Sequence, residues 1–248
     1  MANFYDYWDI VKRYFKFDSS EVRALLITAF VIAFSLSFRR WGNGDVFNFN
    51  IGLFNFANFF VVVLLALLVN VSAKKLYALH IGYKVKYELW VFGLVFSLLL
   101  VFVTNGYLYF LAVGSFFMSM IKGHRLGYFR YGLNYFALGV VSLIGVLANI
   151  FLAAFFRFFS FSHSPVLEEA VLVNLLVATF SILPIPPLDG VKIFFASPFL
   201  YAFSVGLVVG AWVFIYSPNF WFFVLGSLLS AFAGLYFVIK IEEPFSVS

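Results

Sequence analysis

Cysteine is absent from this 248-residue chain, histidine occurs only three times, and charged residues make up only 11% of it. Without cysteine the chain can form neither a disulfide nor a thiolate metal site. Soluble domains contain about 25% charged and about 45–50% apolar residues, whereas 64% of this chain is hydrophobic. The scarcity of charge therefore excludes an ordinary soluble domain and predicts an integral membrane protein.

Apolar runs of about 18–20 residues, which can cross the hydrocarbon core of a bilayer, recur along the chain. The predicted spans cover approximately residues 24–38, 54–77, 132–156, 166–183, 198–216 and 220–239. The apolar region 89–120 is interrupted by Thr104-Asn105-Gly106, which favours either a helix with a re-entrant hairpin or two short spans. We therefore predict an all-α polytopic membrane protein with about six transmembrane helices and a short re-entrant or β-hairpin element around residues 104–120.

Three segments are predicted along the chain: a cytoplasmic N-terminal segment (1–22), a single transmembrane domain (23–240) and a C-terminal tail (241–248). The first segment carries acidic and aromatic residues before any apolar run, which is not the pattern of a cleavable signal peptide. Asp18 and Glu21 have the spacing of a capping box. A helix is therefore expected to begin directly after Asp18.

The Lys and Arg residues predict the orientation in the membrane. We assume a cytoplasmic N-terminus and a region 89–120 that returns to the side on which it begins. Of the 16 basic residues, only Arg39, Arg40 and Arg157 then lie outside. This strong positive-inside bias places both termini in the cytoplasm. It also accounts for the net charge of +5 without a nucleic-acid partner.

Polar and helix-breaking residues interrupt two apolar runs at matching depth. Lys74 lies near the cytoplasmic end of the second span, where ionisable groups are costly and are functional candidates. Asp189 follows a proline-rich break in the stretch NLLVATFSILPIPPLDGVKIF. Prolines cannot continue a helix, and irregular backbone at this depth requires surrounding protein or a water-filled cavity. These two features predict one site that contains Lys74 and Asp189.

The segment LPIPPLDG resembles a motif of the site-2 proteases, a family of intramembrane zinc metalloproteases. In that family the Asp of the motif is a zinc ligand, and Asp189 occupies its position here. Ser181 stands where the family usually has Asn. The segment GVLAN resembles a Gly-Pro-x-x-Asn element, with Val146 in place of Pro. Further matches follow the zinc motif: Lys75, Ala78, Gly82, Tyr83, Lys84 and Tyr87. The resemblance covers roughly residues 54–194 and implies a core of that family's type.

This resemblance also implies candidates for a groove that receives a transmembrane segment. The candidates are Asn149, Asn174, Pro184, Pro186, Pro187 and Gly190. In the same register, the family's His-Glu-x-x-His motif falls on Asn70, Val71, Ser72, Ala73 and Lys74. Zinc needs two imidazoles on one helix face and a glutamate base between them. Asn70, Val71 and Lys74 supply none of these groups, so Asp189 is the only retained ligand position and no metal or other cofactor is expected.

The three histidines do not rebuild the missing site. His80 lies beyond the end of the second span, His124 lies in a basic loop, and His163 lies on the predicted outer side. We therefore expect the Lys74 ammonium to occupy the position of the metal and to pair with Asp189, while Asn70 donates a further hydrogen bond. An unpaired Asp189 carboxylate would be costly in such a site.

These residues leave three functions open. The first is a catalytically inactive relative of the site-2 proteases, with the lipid bilayer and a transmembrane segment as its partners. The second is an active metalloprotease with an atypical centre, which would require zinc and a different register. The third is a small transporter in which Asp189 lines a pathway, since broken helices and intramembrane carboxylates mark such proteins. Cleavage of a model transmembrane substrate with and without a chelator distinguishes the second function from the first. Solute or proton flux that depends on Asp189 would support the third.

Overall fold

The computed structural model describes residues 4–43, 46–121, 134–158 and 164–242. The helices in these ranges are α1 (Phe4–Tyr14), α2 (Ser19–Ser37), α3 (Phe49–His80), α4 (Val91–Val103), α5 (Tyr135–Phe158), α6 (Pro165–Ser181), α7 (Asp189–Ala196), α8 (Pro198–Phe214) and α9 (Phe220–Glu242). The strands are β1 (Gly42–Asn43), β2 (Val46–Phe47), β3 (Tyr83–Glu88) and β4 (Ser115–Met120). The protein is therefore mostly helical, as predicted.

Four of these helices are long and apolar enough to cross a membrane. They are α2, α3, α5 and α9, the last over Phe220–Lys240, while α4 and α8 are shorter apolar helices. Large apolar side chains remain exposed on these helices, which is expected of surfaces that face lipid. The prediction of a helical integral membrane protein agrees with this arrangement.

Local capping sets where the helices begin. The predicted capping box is present, because the Asp18 backbone N–H donates to Glu21 Oε2 at 2.9 Å and α2 begins at Ser19. The Asn48 side chain accepts from two backbone N–H groups at the start of α3. Ser164 caps α6 in the same way, directly before a proline in its first turn. Each cap satisfies backbone donors that have no partner inside the helix.

The region 89–120 contains α4, a turn and an extended segment that leads into β4. Asn105 and Gly106 adopt positive φ angles of 51° and 74° in that turn, so the chain reverses after α4. β4 then pairs with β3 in antiparallel register, from Tyr83 opposite Met120 to Glu88 opposite Ser115. A β element was expected around residues 104–120, but its partner strand precedes α4. The region consequently ends beside the point where it begins.

The extended segment 109–114 is buried, with Leu111 and Ala112 fully enclosed. Side-chain hydroxyl groups from neighbouring elements bind its backbone carbonyl groups. Ser97 Oγ donates to the carbonyl oxygen of Phe110 at 2.5 Å, and the Tyr87 hydroxyl donates to that of Val113 at 2.9 Å. Backbone groups that lack water need such partners, so these hydroxyl groups allow a non-helical segment inside the helical core.

Two apolar clusters form most of the core. One joins α2, α3 and α6 with the segment 110–113, and the other joins α5, α6, α8 and α9. In the second cluster, glycines allow α8 and α9 to approach closely, since a Cβ atom added at Gly210 would lie 2.7 Å from the Cα atom of Ser227. Small residues at helix contacts are typical of membrane proteins, where close packing drives association. Helices α3, α5, α6 and α7 surround the candidate site.

Candidate functional site

The centre of the site is a buried ion pair between α3 and α7. Lys74 Nζ lies 2.5 Å from Asp189 Oδ2, and only 7% and 4% of the two side chains are exposed. This is the pair expected from the sequence. The Lys74 side chain passes Gly145 of α5, where an added Cβ atom would lie 2.1 Å from Lys74 Cε. Gly145 therefore provides the space through which the ammonium reaches Asp189.

The second oxygen of Asp189 is not satisfied in the same way. Asp189 Oδ1 is buried and has no hydrogen-bond partner among the described residues. The nearest cation is Lys192, whose Nζ lies 3.8 Å away, three residues further along α7. Sequence reasoning missed Lys192 as a site residue. The signal was its i+3 position relative to Asp189, which places both side chains on one face of α7.

Lys192 connects α7 to strand β4. Its Nζ atom donates to Ser115 Oγ and to the carbonyl oxygen of Phe116, both at 3.2 Å, and lies 3.7 Å from the centre of the Phe116 ring. Ser115 Oγ in turn donates to the carbonyl oxygen of Pro187 at 3.0 Å. Burial lowers the pKa of Lys192 to about 8; the Asp189 carboxylate opposes this shift and the Lys74 ammonium adds to it.

Three asparagines form a chain of amides across α3, α5 and α6. Asn70 Nδ2 donates to Asn149 Oδ1 at 2.6 Å and to the carbonyl oxygen of Gly145 at 2.9 Å. Asn149 Nδ2 donates to Asn174 Oδ1 at 3.0 Å, and Asn174 Nδ2 donates to the carbonyl oxygen of Ala170 at 2.8 Å. Such interhelical hydrogen bonds hold membrane helices in register.

The amide chain changes two expectations. Asn70 was expected to donate to Asp189, but its amide hydrogens are directed at α5, and the described hydrogen bonds do not include one to Asp189. The groove candidates Asn149 and Asn174 are completely buried and bonded to each other. Sequence reasoning could not assign these amides to one another, because their spacing in the chain does not show which helices are adjacent.

The proline-rich loop between α6 and α7 is exposed at Pro184 and Pro186 and half-buried at Pro187. Ser181 ends α6 and is buried. Gly190 is also buried, and a Cβ atom there would lie 2.0 Å from the carbonyl oxygen of Ile182. Gly190 thus permits the start of α7 to pack against the end of α6, while the prolines form the accessible part of this segment.

A second buried ion pair lies on the other side of α3. Lys75 Nζ is 2.8 Å from Glu21 Oε2 and also donates to the carbonyl oxygen of Lys16 at 2.7 Å. Glu21 Oε1 accepts the backbone N–H of Tyr87 at 2.8 Å. Glu21 was expected only as a capping residue and Lys75 only as a motif match. The pair joins the start of α2, the end of α3 and strand β3.

The donor set at this centre does not fit a zinc ion. Lys74 presents an ammonium group, Val71 is buried in the apolar core, and the Asn70 amide is engaged with α5. The described residues contain no group of three His, Cys, Asp or Glu side chains that could hold a metal. His80 is exposed at the end of α3, against the rings of Tyr7 and Tyr77. His124 and His163 lie outside the described residues.

Comparisons with protein-family models, with curated proteins and with solved structures found no match for this chain. The interpretation of the site therefore depends on its own chemistry. A buried lysine–aspartate pair cannot bind a dication or activate a water molecule as a metal does. It can fix two helices to each other, and its free carboxylate oxygen can accept one more hydrogen bond.

Proposed function

We propose that this chain is a catalytically inactive membrane relative of the site-2-type intramembrane metalloproteases. The observation that carries the proposal is the contact of 2.5 Å between Lys74 Nζ and Asp189 Oδ2. Lys74 occupies the position of the second zinc-binding histidine in the register of the resemblance, and Asp189 that of the zinc-binding aspartate. The ammonium balances the carboxylate that a metal would otherwise balance, and no base is present at Val71.

The proposed topology has about six spans with both termini in the cytoplasm, and α4 with the segment 109–114 forms a re-entrant element. Contacts between residues assigned to the outer side support it. Arg40 forms an ion pair with Glu169 of α6, and the Arg39 guanidinium lies 3.8 Å from the centre of the Tyr107 ring, in the turn after α4. Strand β3 contacts Glu21 at the start of α2, whereas this turn contacts Arg39 just after the end of α2. The turn and the strands therefore lie at opposite ends of α2.

We propose further that the protein binds a transmembrane segment without cutting it. The exposed loop at Pro184 and Pro186 is the accessible edge of the site, and Ser115 attaches it to β4 through the Pro187 carbonyl group. Asp189 Oδ1 retains a free acceptor at the same place. A binding role is an inference from the retained scaffold and requires its own test.

Metal stoichiometry in purified protein tests the loss of zinc chemistry. After mild zinc exposure and washing, elemental mass spectrometry should detect no retained zinc in the natural chain. The triple variant Asn70→His, Val71→Glu and Lys74→His should retain about one zinc per chain, because two imidazoles then join Asp189 at the spacing that zinc requires.

Adding Asp189→Asn to that triple variant is the matched control and should abolish zinc retention. About one zinc per chain in the natural protein would overturn the proposal in favour of an atypical metalloprotease. A folded triple variant without zinc, judged by its thermal unfolding, would show that the register is wrong.

The binding role is tested by crosslinking, for which a chain without cysteine is convenient. A single cysteine at Ile185, which is 39% exposed in the loop, would carry a photoreactive group in vesicles that contain a model transmembrane peptide. A cysteine at the exposed Val213 of α8 is the control. Crosslinking from position 185 should clearly exceed that from position 213, and equal yields would reject a specific binding edge.

A further inference from the structure

Helix α1 presents one face to the protein. Val11 is buried in a small cluster with Leu79 of α3 and Ile121, and Ile10 and Tyr14 pack around this cluster. The Tyr7 hydroxyl donates to the carbonyl oxygen of Leu76 at 3.2 Å. These contacts fix α1 beside the last turns of α3, one of the helices able to cross the membrane. The position of α1 is therefore level with the end of a span.

The opposite face of α1 combines an aromatic side chain with cations. Trp8 is 50% exposed, Lys12 follows one turn later, and Lys12, Arg13 and Lys16 are all exposed. Asp9 is an exposed acidic residue beside them, among the side chains of α1 that the structure describes. We name the set Trp8, Lys12 and Arg13 of α1, together with Lys16 just beyond its end, the cationic face of α1.

Neighbouring elements add to the positive charge around α1. Lys84 of β3 lies 3.9 Å from the centre of the Tyr14 ring. Lys86 follows two residues later on β3 and is exposed, as is Arg23 in the first turns of α2. The nearby acids are the exposed Asp18, the half-buried Glu88, and Glu21, which is already paired with Lys75. Among the described side chains, positive charge therefore predominates around α1 and β3.

From this arrangement we propose that the cationic face of α1 is a binding site for the headgroups of anionic phospholipids. Tryptophan is enriched at the level of lipid headgroups, which favours a lipid over a soluble acidic partner. Each Lys or Arg near an anionic surface strengthens binding by about fivefold. The contacts between α1 and α3 already hold this face level with the membrane surface, so binding requires no conformational change. This inference is independent of the proposed loss of metal chemistry.

Native mass spectrometry of the full-length protein in detergent, with added phosphatidylglycerol or phosphatidylcholine, tests the proposal. The natural chain should retain phosphatidylglycerol in preference to phosphatidylcholine. The variant Lys12→Gln/Arg13→Gln/Lys16→Gln should lose at least tenfold of that preference. Arg13→Gln alone should lose about fivefold. Arg157→Gln, which removes one arginine charge at the end of α5, is the matched control and should leave the preference unchanged.

A second measurement distinguishes a lipid from a soluble anion. A spin label on Asp9→Cys reports the depth of α1 in vesicles with and without phosphatidylglycerol. The expected result is a label at headgroup depth in the anionic vesicles. No preference for the anionic lipid, an unchanged preference in the triple variant, or a label that stays fully in water would each overturn the proposal. One combination would indicate a soluble acidic partner instead. In it, the label stays in water in vesicles, while the natural chain prefers the anionic lipid in detergent and the triple variant loses that preference.

Discussion

Lys74 and Lys75 are consecutive residues of α3, and both form buried ion pairs with a carboxylate. Successive helix positions differ by about 100° around the axis, so the two side chains enter different parts of the core. The Lys75–Glu21 pair is saturated: both oxygens of Glu21 accept hydrogen bonds, and Lys75 has a second acceptor in the Lys16 carbonyl group. In the Lys74–Asp189 pair, Asp189 Oδ1 accepts none among the described residues.

The two ion pairs therefore differ in how completely the hydrogen bonding of their carboxylates is satisfied. A fully satisfied polar network rigidifies a core. A partly satisfied network lowers stability, because a buried polar atom is left without a hydrogen bond. Lys75 joins α2, α3 and β3 and needs no further partner. Lys74 neutralises Asp189 but does not complete its hydrogen bonding, which is consistent with our proposal that the ammonium replaces a metal.

Removing Lys75 should have the largest effect on stability. Lys75→Met leaves Glu21 buried without its cation, and breaking a buried pair in this way typically costs about 3–5 kcal/mol. Equilibrium unfolding in detergent measures the change. Lys86→Met, at an exposed position of the neighbouring β3, is the control and should have little effect. A loss below about 1 kcal/mol for Lys75→Met would contradict the structural role of the pair.

Lys74→Met should destabilise the protein less, by about 1–3 kcal/mol. The reason is that Lys192 Nζ is already 3.8 Å from Asp189 Oδ1 and can neutralise the carboxylate when Lys74 is gone. The same unfolding experiment compares the two lysines directly. Adding Lys192→Met should raise the loss to the 3–5 kcal/mol range. Equal losses for Lys74→Met and Lys75→Met would remove the distinction between the pairs.

Replacing both partners of each pair sharpens the comparison. Lys74→Met/Asp189→Leu/Lys192→Met removes all three charges of the site and should be nearly neutral, because apolar groups of similar size often replace buried ion pairs without loss. Lys75→Met/Glu21→Leu should still cost about 2 kcal/mol or more, because the backbone N–H groups of Asp18 and Tyr87 lose their acceptor. Thermal unfolding of the triple and the double variant measures this difference, and the reverse order would contradict it.

The smallest effect concerns pH. The pKa of Lys192 is lowered from its ordinary 10.5 to about 8, so between these values the unfolded chain binds the proton that the folded chain has released. Stability contributed by Lys192 should therefore rise from pH 8 to pH 10.5. The difference in unfolding free energy between the natural chain and Lys192→Met isolates this contribution from Asp189, Lys74 and Glu88. A difference that does not change with pH would contradict the burial of its ammonium group.

The sequence predicted the Lys74–Asp189 contact because both residues interrupt apolar runs at the same depth. It did not predict the Lys75–Glu21 contact, since Glu21 already had a local explanation as a capping residue. The alternation in YKVKYE (Tyr83 to Glu88) is the two-residue period of a strand and could have predicted β3. Its pairing with β4 could not be predicted, because α4 and the buried segment 109–114 lie between the two strands.

The restricted space at Gly145 has an evolutionary consequence. A side chain at this position would require the end of Lys74 to shift, and with it the ammonium that contacts Asp189. A larger residue at position 145 is therefore expected to be tolerated better once Lys74 has been replaced by a shorter side chain. Substitutions at the two positions should therefore be coupled, so that among descendants of this chain the residues at 74 and 145 change together more often than independently.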